Sequence, residues 1–267
     1  MKSVVITGST KGIGLGVTKE FLKKGCSVVL SGRNKNRLAQ EVKKLSEECS
    51  HDKVIGKACD VSDINQVRAL WDAAKQKFGT VDIWINNAGV TTIMRLLWEL
   101  DASEIAPVVN TNITGLIYGS QVALQGMLKQ GFGQIYNVEG FGSGDMMRPG
   151  MTVYGTTKRA VRYFTESLIE ETKDTPVQIG TLGPGMVVTD FMLDDLRQMP
   201  EEQREEIKAF YNMMADKIET VTPFLVENIL KNNKTGTKID WLTPEKVNAR
   251  FEDEHYLSRD LLGEFGL

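Results

Sequence analysis

The sequence predicts a single-domain α/β fold of the Rossmann type, a doubly wound parallel sheet with helices on both faces. Short runs rich in β-branched residues alternate with amphipathic helical patterns along the chain. This alternation is typical of a parallel sheet that is covered on both sides. A glycine-rich turn follows the first of these runs directly. Because crossovers between parallel strands are right-handed, the alternation favours the doubly wound arrangement.

Six short apolar runs are predicted as strands, and the segments between them as helices. The runs cover residues 4–7, 27–31, 53–58, 81–85, 134–138 and 177–182. After the second and third runs, apolar residues recur three and four positions apart, as on one face of a helix. The same spacing predicts a long buried helix from about residue 105 to 127 and another around residues 161–169.

The composition argues against several classes of function. Lys and Arg number 32 and Asp and Glu 35, a formal net charge of −3, so we expect no binding to nucleic acid or to an anionic membrane. Three cysteines form no close pair and the two histidines belong to no cluster, which argues against disulfides and predicts no metal site. No apolar run approaches the ~20 residues that span a bilayer, and no signal-peptide pattern is visible. We therefore expect a cytoplasmic protein.

The glycine-rich turn after the first strand predicts a nucleotide site. It reads Thr7-Gly8-Ser9-Thr10-Lys11-Gly12-Ile13-Gly14 and opens the first helix. Gly8 permits a tight turn, Gly12 lets the backbone approach a pyrophosphate, and Gly14 allows close packing of helix on strand. The helix N-terminus offers N–H groups and a positive dipole end to phosphates. The spacing differs from G-x-G-x-x-G, and a turn without a ligand is the alternative.

The residues after the second strand indicate which dinucleotide binds. NAD sites usually place Asp or Glu there to hold the ribose 2′-hydroxyl. Here the strand is followed by Arg33 and Asn34, and Lys11 lies in the glycine turn. Two cations near that ribose favour a 2′-phosphate, so we predict NADP(H), with NAD(H) the less favoured cofactor. Exposed cations without a ligand are the alternative.

With four further segments, the chain resembles the short-chain dehydrogenase/reductase family, in which these segments follow the glycine turn in the same order. They are Asp60-Val61, Asn86-Asn87-Ala88-Gly89, Tyr154-Gly155-Thr156-Thr157-Lys158 and Pro184-Gly185-Met186-Val187-Val188-Thr189. The resemblance covers residues 1 to about 242 and implies a seven-stranded sheet and a nicotinamide-dependent oxidoreductase. It implies that the first segment lines the adenine pocket and that Asn87, Ala88 and Gly89 support the central sheet and the cofactor. It also implies that Pro184, Gly185, Val187 and Thr189 surround the nicotinamide carboxamide.

The spacing of Tyr154 and Lys158 predicts an acid–base pair. Residues four apart share one face of a helix. A phenol with a pKa of about 10 is a poor base near neutrality, and a neighbouring ammonium lowers that pKa. Tyr154 would then protonate a carbonyl oxygen or deprotonate an alcohol. Two residues on a solvated helix face are the alternative.

Asn112 resembles the family's fourth catalytic residue, in the segment Asn112-Ile113-Thr114-Gly115. In the family, that asparagine helps to anchor a water that leads from the lysine to bulk solvent. Asn110 is a weaker candidate for the same role, and an ordinary polar residue on the long helix is the alternative.

The serine that the family places after its fifth strand is missing. Counting from Asn137 puts that position at Gly140, and counting back from Tyr154 puts it at Phe141. Neither residue carries the hydroxyl that would steady a substrate oxygen. Ser143 is our candidate substitute, and Thr152 and a protonated Glu139 are the others. A protein without turnover is the alternative reading.

This departure resembles the chlorophyll b reductase branch of the family, which carries an acid-Gly-x-Gly-Ser type of run at the same place. The chain has Glu139-Gly140-Phe141-Gly142-Ser143-Gly144 there. Known members of that branch reduce the 7-formyl group of chlorophyll b or chlorophyllide b to a hydroxymethyl group. The resemblance therefore implies a reductase of a bulky carbonyl compound, with a hydroxysteroid or other polycyclic alcohol dehydrogenase and an NADP-binding scaffold or sensor as the alternatives.

Methionines collect in the two loops that follow the fifth and sixth strands, where substrate lies in this fold. Eight of the 11 are Met146, Met147, Met151, Met186, Met192, Met199, Met213 and Met214. Because methionine adapts to irregular apolar surfaces, they predict a wide apolar substrate pocket. Filling the core of a helical lid is the alternative.

We divide the chain into an NADP-binding domain at residues 1–242, with a substrate lid around residues 184–215, and a C-terminal tail at residues 243–267. The tail is amphipathic and could pack on a sister subunit, cover the pocket or be loosely attached. The helices near residues 104–129 and 152–173 resemble the family's dimerisation pair. That resemblance implies a homodimer or homotetramer.

Overall fold

Seven parallel strands form the central sheet of the computed structural model, which describes residues 1–92 and 94–267. In chain order they are β1 (Ser3–Ile6), β2 (Ser27–Gly32), β3 (Val54–Ala58), β4 (Ile83–Asn86), β5 (Gly133–Val138), β6 (Val177–Gly183) and β9 (Thr237–Asp240). Their order in the sheet is β3-β2-β1-β4-β5-β6-β9. The strand order reverses next to β1, so the carboxyl ends of β1 and β4 flank a crevice in which ligands bind in such folds. The predicted fold class is confirmed.

Eleven helices connect or flank these strands in the described part of the chain. They are α1 (Gly12–Lys23), α2 (Lys35–Glu48), α3 (Ile64–Phe78), α4 (Ala102–Val109), α5 (Gly115–Gln130), α6 (Thr152–Thr172), α7 (Asp190–Gln198), α8 (Glu201–Met214), α9 (Ile218–Lys231), α10 (Pro244–Glu252) and α11 (Glu254–Ser258). A short parallel pair, β7 (Met186–Val187) and β8 (Ala215–Asp216), joins the segments on either side of α7 and α8.

The two faces of the sheet bury separate apolar cores because successive side chains of a strand point to opposite sides. Val4 and Ile6 of β1 pack into a core with side chains of α1, α2 and α9. Val5, between them, packs into the opposite core with side chains of α3, α5 and α6. Alternate residues of β1 thus pack on opposite faces of the sheet, and both faces are buried. This explains why Val4, Val5 and Ile6 form a continuous apolar run.

The long helix predicted near residues 104–129 is interrupted by a π-helical turn. α4 ends at Val109, the π turn covers Asn110–Thr114, and α5 begins at Gly115. Such turns are rare and often lie at functional sites. Here the turn places Asn112 inward, where its side chain is buried.

α7, α8 and the C-terminal segment share a small apolar core of their own. It contains Leu193 and Leu196 of α7, Tyr211 of α8, and Leu261 and Leu262 near the C-terminus. The segment after residue 243 forms α10 and α11 and is packed against α8. The predicted amphipathic tail therefore contributes apolar side chains to the lid.

No described helix combines the length and hydropathy that crossing a bilayer requires.

Candidate active site

The glycine turn is tied to the end of β4 by a set of short hydrogen bonds. Asn87 Nδ2 donates to the carbonyl oxygens of Thr7 and Gly8 at 2.8 and 3.1 Å. Thr7 Oγ1 accepts from the backbone N–H groups of Asn87 and Ala88, both at 3.0 Å. Gly8 has a φ of +64°, and a Cβ there would lie 2.8 Å from Ala88 Cα. Only glycine meets both conditions, so these two loops form one rigid support.

The N-terminus of α1 has the features of a phosphate cradle. Gly12 begins the helix with a φ of +57°, and Gly14 packs so closely that a Cβ would collide with Asn87 Nδ2. Within the described residues, no side chain caps this helix, whereas Asp63 caps α3 by accepting from Asn65 N at 2.9 Å. The first N–H groups of α1 are therefore left for another acceptor. The residues at this end of the sheet fit a dinucleotide.

The remaining residues of the turn divide between structural and solvent-facing positions. Ser9 is fully buried, accepting from Ser31 N at 2.9 Å and donating to the carbonyl oxygen of Ile6 at 2.8 Å. It links β1 to β2, and its hydroxyl donates and accepts its hydrogen bonds within the protein. Thr10 packs against Gly32, where a Cβ would lie 2.9 Å from Thr10 Cγ2. Ile13 lies in an apolar crevice below the turn, together with Pro184.

The residues predicted to select the cofactor are exposed at neighbouring loops. Thr10 precedes Lys11, and Gly32 precedes Arg33, so the Thr10–Gly32 contact brings the two cations to the same rim. Asn34 caps α2, accepting from Arg37 N at 2.9 Å. No acid follows β2, which leaves the rim positive.

The segment after β3 forms a closed turn. Asp60 Oδ1 accepts from Ser62 N at 3.0 Å and from Ser62 Oγ at 2.7 Å. Val61 is buried against Gly115, where a Cβ would collide with it. Val61 lines the same small cavity as Thr7 and Asn112, whereas the Asp60 side chain is turned into its own loop.

The segment after β6 closes the crevice from the other side. Thr189 approaches the glycine turn, because a Cβ on Gly12 would lie 3.7 Å from its Cγ2. Gly185 has a φ of +71°, and a Cβ there would lie 2.7 Å from Leu242 Cβ. Val187 is buried and paired with Asp216 across β7 and β8. Pro184 lines an apolar crevice together with Ile13 and Asn87, so this segment lies beside the glycine turn.

Tyr154 and Lys158 project from the first turns of α6 toward the ends of β4 and β5. The Lys158 ammonium lies 5.7 Å from the centroid of the Tyr154 ring and donates to the carbonyl oxygen of Val138 at 3.0 Å. A Cβ on Gly89 would lie 3.8 Å from Lys158 Nζ and 3.6 Å from Asn112 Oδ1. The pair thus faces the same crevice as the glycine turn.

Burial sets the ionisation of both groups. It raises the pKa of Tyr154 to about 12 and lowers the pKa of Lys158 to about 8. The lowering of the Tyr154 pKa that the spacing predicted is therefore wrong for the chain by itself, because desolvation outweighs an ammonium 5.7 Å from the ring. A neutral phenol beside a largely charged lysine is the state at neutral pH, and a neutral phenol is a proton donor.

Asn112 is fixed in place from three directions. Its Oδ1 accepts from Val90 N at 2.9 Å, and its Nδ2 donates to Val90 O and to Thr157 Oγ1, both at 2.9 Å. A small polar cavity beside it is lined by Thr7, Asn112 and Lys158 among others. This cavity has space for about one water molecule. Asn110, at the start of the π turn, is exposed.

Gly140 occupies the position next to Tyr154 where a serine was expected. A Cβ on Gly140 would lie 2.7 Å from Tyr154 Oη and 3.2 Å from Lys158 Cε. Ser143 is buried, and its hydroxyl accepts from Gly140 N and donates to Lys158 O, both at 3.2 Å. Its proton is directed to the backbone, so Ser143 shapes the loop around Gly140. Thr152 is exposed at the start of α6.

The lid methionines divide between packing and exposure. Met192 and Met214 are buried, and Met186 and Met199 pack on the same small core. These four methionines therefore fill the core of the lid, which was the alternative to an apolar substrate pocket. Met147 is 94% exposed and lies on the loop before α6.

Sequence reasoning missed two aromatic contacts that place the lid over the site. The ring of Phe191, in α7, lies 6.0 Å from that of Tyr154. Arg148 Nη1 donates to Tyr211 Oη at 3.1 Å and thereby joins the loop before α6 to α8. The residues of each pair are far apart in the sequence, so no local spacing predicts either contact. Among the described residues no group of three His, Cys, Asp or Glu side chains is arranged to hold a metal.

Comparison with known sequences gives a consistent result. The family model for short chain dehydrogenase matches residues 2–200. The probable chloroplastic chlorophyll(ide) b reductase NYC1 of Oryza sativa subsp. japonica is 34% identical over 264 residues, 92% of this chain and 51% of that protein. The chloroplastic chlorophyll(ide) b reductase NOL of the same plant is 37% identical over 257 residues, 93% of this chain and 73% of that protein. The chain spans about half the length of the first relative.

Solved structures share the fold across most of the chain. A short chain dehydrogenase/reductase from Burkholderia phymatum in complex with NAD is 28% identical, with a TM-score of 0.78 over 97% of this chain and 96% of that one. The closed form of a serine dehydrogenase complexed with NADP+ is 25% identical, with a TM-score of 0.74 over 89% of this chain and 92% of that one. One of these two structures thus contains NAD and the other contains NADP+.

Proposed function

Since the chain belongs to the short-chain dehydrogenase family and is an NAD(P)-dependent oxidoreductase, we propose that it reduces the carbonyl group of a bulky apolar substrate with NADPH. The leading substrate is chlorophyll(ide) b, whose 7-formyl group would become a hydroxymethyl group. The similarity that carries this proposal is the 37% identity to a protein named chlorophyll(ide) b reductase, over 93% of this chain.

The protein's part in the reaction begins with binding. The free N–H groups at the start of α1 would hold the dinucleotide phosphates, and Thr189 and Pro184 would lie beside the nicotinamide. When bound, NADPH supplies the hydride. We assign the preference for NADP(H) to Arg33 and Lys11, because a planar guanidinium suits a 2′-phosphate and no acid competes there.

Tyr154 would donate the proton to the carbonyl oxygen. Because burial raises its pKa to about 12, the phenol is protonated over the whole physiological range, which suits reduction. The Lys158 ammonium would stabilise the phenolate that forms when the proton leaves. Asn112 and the water-sized cavity beside Lys158 would form the path by which the proton is replaced.

The missing serine hydroxyl defines a second candidate function. Gly140 provides no donor for the substrate oxygen, and Ser143 is engaged with the backbone. A protein that binds NADP(H) without turnover would have the same glycine cradle. A hydroxysteroid or polycyclic alcohol dehydrogenase is the remaining alternative among enzymes.

A substrate panel with NADPH separates these functions. Chlorophyllide b, steroid ketones and small aldehydes are each incubated with protein and NADPH, and formation of NADP+ and of the reduced product is followed with time. Turnover of chlorophyllide b with a specificity constant above those of the other classes supports the proposal. Tight NADPH binding without turnover of any substrate would favour the scaffold.

The molecular organisation is proposed with the function. We infer a catalytic unit at residues 1–242 with a lid around residues 184–215, and a tail at residues 243–267 that completes the lid. We also infer a homodimer or homotetramer and a cytoplasmic location.

A further inference from the structure

Arg148 joins the two segments that flank the substrate side of the crevice. Its Nη1 donates to Tyr211 Oη at 3.1 Å. Arg148 belongs to the loop between β5 and α6, and Tyr211 belongs to α8 of the lid that follows β6. Because ligands of such folds lie beyond the carboxyl ends of the strands, a substrate held between this loop and the lid would meet Arg148.

Two consecutive backbone turns connect Arg148 to Tyr154. Met151 N donates to Arg148 O at 3.1 Å, and Gly155 N donates to Met151 O at 2.7 Å. The lid contacts both ends of this short path. Phe191 of α7 packs on the ring of Tyr154 at 6.0 Å, and α8 receives the hydrogen bond from Arg148. Arg148 therefore marks the outer end of the site at which Tyr154 is the inner end.

The Arg148 guanidinium has donors to spare. Its side chain is half-buried, and the bond to Tyr211 uses one of the five N–H donors of a guanidinium. Arg197, also in the lid, is paired with Asp194 at 3.5 Å, whereas Arg148 forms no ion pair with any residue that the structure describes. Arg148 lowers the pKa of Asp195 on α7, but burial outweighs this effect and raises the pKa of that carboxyl.

The chain around Arg148 presents apolar side chains to the outside. Met146 and Met147 precede it in the loop, and Phe210 lies next to the α8 tyrosine; all three are exposed. The acid in this loop, Asp145, is itself paired with an arginine of α6. A guanidinium binds a carboxylate through two parallel hydrogen bonds. One unpaired guanidinium among apolar side chains therefore suits a ligand with an apolar body and a carboxylate.

We propose that Arg148 binds the free carboxylate of an apolar carbonyl substrate and thereby selects acids over their esters. The inference rests on the proposed function, since it concerns the substrate of the same site. Chlorophyllide b carries a carboxylate that is esterified in chlorophyll b, so the proposal favours chlorophyllide b. Arg148 touches no reacting atom, and it holds the far end of a substrate whose carbonyl group faces Tyr154.

Binding of chlorophyllide b and of its methyl ester, which has the same ring and no negative charge, tests the proposal. Dissociation constants are measured from pigment fluorescence with saturating NADP+, which cannot supply a hydride. We expect the parent chain to bind the acid about tenfold more tightly than the ester. In Arg148→Gln the affinity for the acid should fall about tenfold, and that for the ester should stay within about twofold. Arg197→Gln, which changes an exposed arginine of α7, is the matched control and should alter neither affinity.

Tyr211→Phe separates recognition of charge from support of the loop. It removes the acceptor of the Arg148 hydrogen bond and keeps the guanidinium, so the preference for the acid should persist. Equal affinity of the parent for acid and ester, or no binding of either, would overturn the proposal. An equal loss of both ligands in Arg148→Gln, or loss of the preference in Tyr211→Phe, would overturn it as well.

Turnover with NADPH distinguishes a failure of this proposal from a failure of the proposed function. If the acid is preferred in binding and neither pigment is reduced, the reductase function fails and the carboxylate site stands. If both pigments are reduced and are bound equally well, the reductase function stands and the carboxylate site fails.

Discussion

At the residue scale, the site combines a buried phenol, a buried ammonium and a glycine where a hydroxyl was expected. The Lys158 ammonium lies 5.7 Å from the centroid of the Tyr154 ring, and burial raises the pKa of Tyr154 to about 12. Its neutral form is strongly favoured, so its task as a donor needs no prior ionisation. At neutral pH, Tyr154 therefore carries the proton that it would donate. Lys158 carries the positive charge that would stabilise the resulting phenolate.

Tyr154→Phe should lower kcat/KM by roughly a hundredfold or more, because general acid catalysis contributes 10²–10⁴-fold. The ring and its packing against Phe191 are kept, so NADPH affinity should stay within about twofold of the parent. The measurement is steady-state turnover together with NADPH fluorescence quenching. Tyr163→Phe, with an exposed ring on the same helix, is the control. Full turnover in Tyr154→Phe would remove Tyr154 from the mechanism.

Gly140→Ser tests whether a missing hydroxyl limits the enzyme. A Cβ at Gly140 would lie 2.7 Å from Tyr154 Oη, and an aromatic ring fixed by packing cannot yield without cost. We therefore expect kcat/KM to fall by about tenfold in both Gly140→Ala and Gly140→Ser. A higher turnover in Gly140→Ser than in the parent would mean that the hydroxyl is the missing element and that the loop adapts.

Arg33→Ala should weaken NADPH binding by about tenfold and leave NADH binding unchanged. Hydrogen bonds to charged groups contribute about 1.5–3 kcal/mol, and 1.4 kcal/mol corresponds to a factor of ten. Dissociation constants for both dinucleotides are measured by isothermal titration calorimetry. Arg37→Ala, an exposed arginine one turn into α2, should affect neither. Equal losses for NADPH and NADH would assign Arg33 a role other than 2′-phosphate recognition.

At the element scale, a buried ionic clamp attaches the C-terminal helices to the lid. Arg250 Nη2 donates to Asp216 Oδ2 at 2.5 Å, and its Nη1 donates to Met214 O at 2.7 Å. Trp241 Nε1 donates to the same carboxylate at 2.7 Å. Arg259 lies 3.6 Å from Asp216 Oδ1. Asp216 of β8 is thus joined to α10 through Arg250 and to the residue after β9 through Trp241, and Arg250 also holds the end of α8.

Arg250→Met should lower the free energy of unfolding by about 3 kcal/mol, since removing one partner of a buried ion pair leaves the other uncompensated. Methionine keeps most of the side-chain volume, which limits the loss to the charge and its hydrogen bonds. Urea denaturation followed by circular dichroism gives the value. Arg197→Met removes a half-exposed arginine paired with Asp194 at 3.5 Å and should change stability by less than about 1 kcal/mol. Equal stability of Arg250→Met and the parent would contradict the clamp.

The elements that sequence predicted are those whose signals are local. All six apolar runs contain strands, because a strand buried on both faces is a continuous apolar segment. β9 was not among them: of its four residues, Thr237–Asp240, only Ile239 is apolar, and the strand lies at the edge of the sheet. The Asp216–Arg250 pair joins residues 34 positions apart, and no periodicity reveals such a pairing.

The candidate site shows the same division between local and long-range information. The glycine turn and the Tyr154–Lys158 spacing are local patterns, and both lie at the β1–β4 crevice. The position of the missing serine depended on the length of a loop, and two counts gave two residues. The contact of Gly140 with Tyr154 resolves that ambiguity. The raised pKa of Tyr154 could not be predicted, because it depends on burial in the folded chain, including a contact with Phe191 of α7 that no sequence spacing reveals.

At the scale of the whole molecule, the outer surface over α5 and α6 stays apolar at several positions. Ile117 and Leu128 of α5 are 40% and 43% exposed, and Tyr163 of α6 is 75% exposed. The inner sides of both helices pack into the same core on one face of the sheet, so these side chains lie on one outer surface. The homo-oligomer that the family resemblance implies would use this surface, and exposed apolar side chains are what such an interface buries.

Tyr163→Arg should convert the expected homo-oligomer to monomers. In an interface with twofold symmetry the substituted residue occurs on both sides, so two new like charges replace two aromatic rings in a desolvated patch. Sedimentation velocity measures the change as a fall in the sedimentation coefficient to the monomer value. Leu257→Arg, at a position 59% exposed on α11, adds the same charge away from this surface and should leave the assembly intact. A parent chain that sediments as a monomer, or an intact oligomer in Tyr163→Arg, would contradict an α5–α6 interface.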